Sequence, residues 1–492
     1  MSFLTYIRQA LSAPGRKKTV EAAAPTQLPT PKELNNDKTT TINVDDAASD
    51  DASSSFHVEL HHRRLDRWLD TVVRWSGSSV VFGFIMAFLL GWVLAGIHYH
   101  NDINWQIAIS NIQAIFSYIF DSLLMRQQLN ANDEALLAAA QLRSRGMSHR
   151  RMLAKLSSMG SKPSVAEKMV AEEVAAATSA ELSPSSSDVA LVDASSSFDM
   201  ELPAETFFGR SMTRLAFVSG HIITIGVYWA GVIIWLAFGP SNQWSNAWQL
   251  YINSATSALM VFVFSFLANI RERHAEYERV CLQATFRVDA YLEKRLREVT
   301  DDDLPNDVVV IEPRKINVLQ RSIYYYADVV GTLVGIALLF VVMIAWIAVG
   351  PAMHFNDNWW LIIGTYAGLI GLNDGFVLRN VQAKLKDAEG DQFQLLDEED
   401  EQLFAVIDEP FVAAESGKPS LSSRISLAVG KFCASEYTVL VGVCVILALI
   451  AGSSAMKWGT TGMCCFFSSS LDFVLFYQFH ALCRAILILF LC

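Results

Sequence analysis

The sequence is poor in charge and in the residue patterns that enzymes are built from. Charged residues make up 18% of its 492 positions, against roughly a quarter in an ordinary soluble domain. Its seven cysteines, Cys281, Cys433, Cys444, Cys464, Cys465, Cys483 and Cys492, form no C-x-x-C pair. An odd number scattered through apolar sequence argues against a disulfide framework, so they read as small apolar residues. No phosphate-binding glycine loop, HExxH pattern or nucleophile triad is present, and no enzyme is expected. The net charge of -12 comes without a basic stripe and excludes nucleic acid as a partner. The acidic excess sits in polar runs such as Asp301-Asp302-Asp303 and Asp397 to Glu401. The basic N-terminal residues are followed by no apolar core, so a secretory signal is not expected.

What the chain has instead is long apolar runs; 52% of its residues are hydrophobic. Between Gly77 and Arg126 two such runs flank a loop without Lys or Arg. Each reaches the roughly 20 residues that cross a bilayer as a helix, and a backbone in lipid must satisfy its own hydrogen bonds, which predicts a helical hairpin. The pattern recurs. Gly77, Trp92, Gly96 and Trp105, then Gly220, Trp235, Gly239 and Trp248, then Gly331, Trp346, Gly350 and Trp359 share the spacing G-x14-W-x3-G-x8-W. Trp is scarce, at 12 residues, so a shared register argues for a repeated hairpin, although one such Trp alone is an ordinary interface residue.

The expected fold is therefore all-α, a polytopic membrane protein. It has three to four tandem parallel two-helix hairpins, about 7–8 spans in all, with a disordered cytosolic tail and linkers. The divisions are 1–66, disordered cytosolic tail; 67–126, hairpin 1; 127–212, helical and Ser-rich linker; 213–270, hairpin 2; 271–321, cytosolic helix and linker; 322–379, hairpin 3; 380–431, acidic linker; and 432–492, a divergent hairpin 4. The last carries Asp472, His480 and Arg484 in apolar surroundings, where a charged residue costs about 2.5–3.5 kcal/mol at mid-bilayer. Basic residues flank the hairpins, as in His61 to Arg74, Arg126 to Lys155, Arg271 to Arg279 and Arg379 to Lys386, while the hairpin loops lack them. That asymmetry places the N-terminus and linkers in the cytoplasm. The linkers are open to regulatory proteins or kinases. Within 271–300, Leu292, Leu296 and Val299 form an expected apolar stripe, stopped by D-D-D-L-P-N-D.

Ionisable groups at membrane depth are few, which makes each one informative. Asp121 and Asp374 stand 16 and 15 residues after their loop Trp, and each precedes an Arg by five, in D-S-L-L-M-R and D-G-F-V-L-R. They either bind a hard cation on a transport path or pair with those arginines at the inner interface. Gln106 and Gln249, each following a loop Trp, either line the same path or pack between helices. In the loops, His98, His100 and Asp102, with His354 and Asp357, have the chemistry to hold a divalent first-row metal. Asp102 and Asp357 equally suit helix N-caps. Three or four hairpins surrounding a central path is the expected arrangement.

The hairpin resembles the low-affinity iron permease family, whose pattern is W-x3-G-P, an F-x-D segment, then W-Q-L-x-I-N. The second copy carries Trp235, Gly239, Pro240, Trp248, Gln249, Leu250, Ile252 and Asn253. The third has Trp346, Gly350, Pro351, Phe355, Asp357, Trp359 and Leu361, with Trp360 in place of Gln. The first keeps Trp92, Gly96, Asp102, Trp105 and Gln106, with Ile97 in place of Pro. The likeness covers about 67–460; beyond Trp458, Thr461 and Gly462 the chain departs from the family's last helix. The resemblance implies a multi-pass plasma-membrane permease for Fe(II), with limited selectivity among Cu, Zn, Co and Mn, and no cofactor. Its partners are then the lipid bilayer and divalent cations as cargo. A channel for another small ion or solute on the same scaffold, and a non-transporting membrane scaffold, remain alternatives.

Overall fold

In a computed structural model the described residues are 19–28, 64–99, 102–158, 207–219, 222–243, 245–406 and 428–455 apart from 429 and 433. Most of the predicted N-terminal tail, the Ser-rich stretch near 183–197, the later part of the 380–431 linker and the fourth hairpin beyond Ala455 lie outside them. The elements in order are β1 (Val20–Ala22), α1 (Arg64–Ser76), α2 (Ser79–Tyr99), α3 (Ile103–Ser158), α4 (Phe207–Ser219), α5 (Ile222–Ala237), α6 (Asn246–Thr300), β2 (Val309–Ile311), α7 (Val318–Gly331), α8 (Leu333–Val349), α9 (Asp357–Val406) and α10 (Glu436–Ala455).

Among the described residues three helices are long and apolar enough to cross a membrane: α2, the part of α3 from Ala108 and the part of α6 from Leu250. Shorter apolar stretches lie in α5, α8 and α10. Helix α2 exposes Val80, Phe84, Phe88, Leu90, Val93, Leu94 and Ile97, the outward apolar face that a lipid-facing helix presents.

The expected divisions at 126, 270 and 379 fall inside continuous helices. Helix α3 runs 56 residues, roughly 84 Å at 1.5 Å per residue, nearly three times the thickness of a hydrocarbon core. α6 and α9 run on in the same way to Thr300 and Val406. Nothing in the polar sequence breaks them, since it is rich in Ala, Glu, Gln, Leu and Arg. At Asp301 α6 does stop: this residue adopts φ 51° and its N–H bonds the carbonyl of Arg297, so the D-D-D run ends the helix as expected.

The three long helices form the frame. α3 lies in the middle, packed along both α9 and α6. The shorter helices lean on a long helix of a different hairpin: α2 on α6, α7 on α3, α10 on α9. Glycines at the elbows permit the close approach. A Cβ on Gly77 would stand 2.7 Å from the Ala268 carbonyl oxygen. One on Gly331 would meet the Arg126 backbone nitrogen at 3.2 Å, and one on Gly430 would meet Arg379 Nη2 at 2.8 Å. Arg379 and Ala268 each stand 20 residues after their hairpin's loop Trp, and so does Met125, whose Cγ also faces Gly331 at 3.3 Å. Gly430 precedes Trp458 by the same 28 residues that separate Gly77 from Trp105.

At the polar end the frame differs from expectation in two ways. Part of the tail expected to be disordered is docked: Val20–Ala22 pairs antiparallel with Val309–Ile311. Val309 and Ile311 bury against Ala140 of α3, with Val20 and Ala22 packed on them, so a small sheet joins an otherwise helical fold. Three residues are too short a run for alternation to reveal a strand. The buried face of α6 also keeps only Leu296 of the expected Leu292–Leu296–Val299 stripe. Leu292 and Val299 are exposed, and Phe286, Ala290, Glu293, Arg297 and Thr300 are buried.

That face carries charge into the interior. Glu293 sits 2.9 Å from both Arg145 Nε and Arg297 Nε. It also accepts from Asn306 Nδ2 at 2.9 Å and from the Gln27 N–H at 3.3 Å. Arg297 donates to the carbonyls of Asp302 and Leu304 at 2.8 and 2.7 Å. Residues 24–27 form the lid, with the Ala24 N–H on Ser144 Oγ at 3.1 Å. Beside this triad burial, with Arg145 and Arg297 nearby, pushes His149 down to about 4. Its 3.5 Å approach to Asp289 is therefore a contact of neutral imidazole and not an ion pair. Burial raises Asp289 to about 6, against the pull of Arg145.

Candidate functional site

The three hairpin loops are built alike. Trp92 stacks on Trp105 at 4.4 Å and 2°, Trp235 on Trp248 at 3.6 Å and 6°, and Trp346 on Trp359 at 4.1 Å and 6°. The W-x3-G part of the pattern acquires a cause in the first loop, where a Cβ on Gly96 would strike the Trp105 ring at 2.5 Å. The glycine one turn after Trp92 lets the second indole lie flat on the first. In the third loop the indoles lock reciprocally, Trp346 Nε1 donating to the Trp359 carbonyl at 3.0 Å and Trp359 Nε1 to the Trp346 carbonyl at 2.7 Å.

The described loop candidates do not converge. His98 and Asp102 are exposed, as is His354, which lies in a left-handed turn at φ 54°. Among the described residues no group of three or more His, Cys, Asp or Glu comes together. His100 and the side chains of Asp357, Gln106 and Gln249 lie outside the described part; Gln106 and Gln249 occupy the fourth positions of α3 and α6. The cap in the third loop is Asn356 and not Asp357, its Oδ1 accepting from the Trp359 N–H at 3.0 Å. In the second loop Ser245 does the same for Trp248 at 3.4 Å.

Asp121 and Asp374, by contrast, come together. They lie on α3 and α9, the two most extensively packed helices, both fully buried at 1% and 0% exposure and close enough to interact electrostatically. Phe120, Leu124, Val377 and Leu378 belong to one apolar cluster around them, with Met260 and Phe264 from α6. Phe264 holds in the second hairpin the place that Asp121 holds in the first, 16 residues after the loop Trp. Neither Asp pairs with the Arg five residues on. Five residues turn a helix by about 140°, which sends Arg126 away to Asp70 at 2.7 Å. Both oxygens of Asp121 and Oδ2 of Asp374 have no hydrogen-bond partner among the described residues. The remaining oxygen, Asp374 Oδ1, accepts from the hydroxyl of Tyr326 on α7.

Polar side chains continue the seam in both directions. Toward the loops stand the Tyr118 and Tyr366 hydroxyls, 3.4 Å apart, then Ser117 and Gln113, with Gln113 Nε2 on Ser117 Oγ at 2.8 Å. Beside it Asn253 of α6 donates to Ser110 Oγ of α3 at 2.6 Å. Toward the polar end Gln320 donates to Asn380 Oδ1 at 2.6 Å. Tyr326, Tyr118 and Tyr366 escaped the sequence reading, and Asn253 entered it only as part of the family pattern, because aromatic and amide residues in apolar runs carry no mark of the face they occupy. A buried carboxylate left without donors either keeps a proton or takes a counter-charge. A divalent cation on this seam would meet oxygen ligands from two helices.

A model of the family described as Low affinity iron permease matches residues 208–307 and 320–398. The "Low-affinity iron/zinc ion transport protein fet4" of Schizosaccharomyces pombe is 34% identical over 475 residues, covering 94% of this chain and 78% of its own. The chain belongs to the low affinity iron permease family. A second family member, the "Low-affinity Fe(2+) transport protein" of Saccharomyces cerevisiae, is 34% identical over 423 residues, covering 81% of this chain and 74% of its own. No solved structure matches this permease family chain.

Proposed function

We propose that this chain is a low-affinity permease for divalent transition-metal cations, chiefly Fe(II), carrying them inward across the plasma membrane. Its N-terminus and the polar bundle then face the cytoplasm and its Trp loops face outside. The single observation that carries the site is the buried, mostly unpartnered pair Asp121–Asp374 on the α3–α9 seam. The names of the two yeast relatives, one for iron and zinc and one for Fe(2+), support the cargo. The membrane potential supplies the drive: a divalent cation entering an inside-negative cell gains about 4.6 kcal/mol per 100 mV, twice the value for a unit charge. A permeant ion must leave as well as arrive, so a site of few ligands suits the task. The elbow contacts favour hairpins set in a ring about this seam, each leaning on its neighbour's long helix.

The test is uptake of labelled Fe(II) in yeast cells lacking their own iron transporters, for the chain and for Asp121→Asn with Asp374→Asn. Saturable uptake that the double variant loses, at equal surface amount, is expected. Uptake that survives in the double variant would return both carboxylates to a structural role. No uptake by the intact chain at the cell surface would favour another solute or a scaffold acting through its linkers.

A further inference from the structure

Helix α7 lies between the two helices that carry the carboxylates. Its buried face is Gln320, Ile323, Ala327 and Gly331. Ile323 and Ala327 enter the cluster formed with Leu124, Met125, Val377 and Leu378, and Gly331 abuts the α3 backbone at Arg126. Tyr326 stands beside that face, half-buried, and spans to α9, where its hydroxyl donates to Asp374 Oδ1. The Asn373 side chain hydrogen-bonds the same hydroxyl. Of the four carboxylate oxygens of the pair, the protein occupies one and leaves three without a partner among the described residues.

We propose that Tyr326 sets the affinity of the permease by competing with the cation for Asp374. This deepens, and rests on, the reading of Asp121 and Asp374 as the cation site. A hydroxyl donating to a carboxylate makes a short, charge-assisted bond and draws electron density from the very oxygen a cation needs. An arriving ion either binds with three oxygens or displaces the hydroxyl. In both cases binding is weaker than four free oxygens would give, and the returning hydroxyl helps the ion go. Tyr326 lies toward the polar end of the seam, so this assistance favours release on that side. Asn373, hydrogen-bonded to the same hydroxyl, strengthens the competitor through a chain of hydrogen bonds. Tyr326 is thus a positioning residue that acts on affinity through Asp374.

The test is the concentration dependence of labelled Fe(II) uptake by the full chain and by Tyr326→Phe, normalised to protein at the cell surface. A hydrogen bond to a charged group is worth about a factor of ten or more in an equilibrium constant. The expected result is a KM lower by about tenfold together with a lower maximal rate, because release slows as binding tightens. A purely structural tyrosine predicts a lower maximal rate at unchanged KM. A KM that is unchanged or raised overturns the proposal. Asn373→Ala keeps it testable if Tyr326→Phe does not reach the surface: its KM is expected to fall a few-fold, and an unchanged or raised KM there is equally refuting. The double variant Asp121→Asn with Asp374→Asn separates the two levels. If it transports normally, the cation site itself is misplaced; if it is inactive and Tyr326→Phe has no lowered KM, the role of Tyr326 alone fails.

Discussion

Replacing Glu293 by Gln removes one charge from a place where three meet out of water. Glu293 and Arg297 are 0% exposed and Arg145 1%, and both guanidinium contacts are 2.9 Å. The amide keeps nearly the same shape, so cavity formation does not enter. Both arginines keep a carboxylate, Arg145 with Asp289 at 3.1 Å and Arg297 with Asp302 at 3.7 Å, but the shared central anion is gone. Breaking a buried pair by removing one partner costs about 3–5 kcal/mol. At tenfold per 1.4 kcal/mol, the opening equilibrium of the polar bundle rises by about a hundredfold or more. Hydrogen exchange of the purified chain in detergent reads this directly, through the amides of Val20–Ala22, Val309–Ile311 and the last turns of α6. Glu298→Gln is the control: its ion pair with Arg295 is exposed, and a change within about 0.5 kcal/mol is expected there. Protection by Glu293→Gln equal to that of the unaltered chain would refute the reasoning and mean that the triad is solvated.

The elbow contact is tested by Gly77→Ala, whose Cβ would lie 2.7 Å from a backbone carbonyl; a loss of about 1–3 kcal/mol is expected, seen as less folded protein in the membrane. Gly83→Ala, with nothing within 4 Å, should be neutral or better, and equal behaviour of the two would sink the elbow argument. His149 supplies a pH dependence. Its folded value near 4 lies below the usual 6.5 or so, so the unfolded chain takes up the proton first. Stability is complete above about pH 6.5 and is lost as pH falls toward 4, by up to about 3 kcal/mol. Asp289, raised to about 6, works in the opposite direction, since its protonated form is the one favoured in the fold. The contribution of His149 is therefore read as the difference between the chain and His149→Asn, in exchange protection between pH 7.5 and 5. The unaltered chain should lose ground as pH falls; parallel curves would show that His149 does not titrate with unfolding.

Local sequence carried a great deal. The apolar runs, the stop at Asp301-Asp302-Asp303 and the paired tryptophans are short-range features. Trp92 and Trp105 stack across a single loop, so their spacing alone brings them together once two helices meet at a tight connection. Hydropathy also marked Asp121 and Asp374 as unusual, because a carboxylate in an apolar run is costly wherever the run goes. It left open what each faces, and the neighbouring Arg in both segments made a local ion pair the plainer guess. At 126 and 379 membrane boundaries were read as helix boundaries, although a helix leaves the bilayer without needing to end; past 270 the membrane helix was expected to continue into the cytosol, as α6 does to Thr300.

By itself, then, the sequence determined a helical membrane chain, the place of its loops, the family pattern and the few carboxylates lying in its apolar runs. Only the tertiary structure decided that Asp121 meets Asp374 while Arg126 goes to Asp70, that Tyr326 reaches Asp374 from α7, and that residues 24–27 close over Glu293. The physical reason is the helix itself. Each residue turns the side chain by about 100°, so a linear pattern gives the faces a helix has, and the neighbours packed on those faces give each polar group its partner.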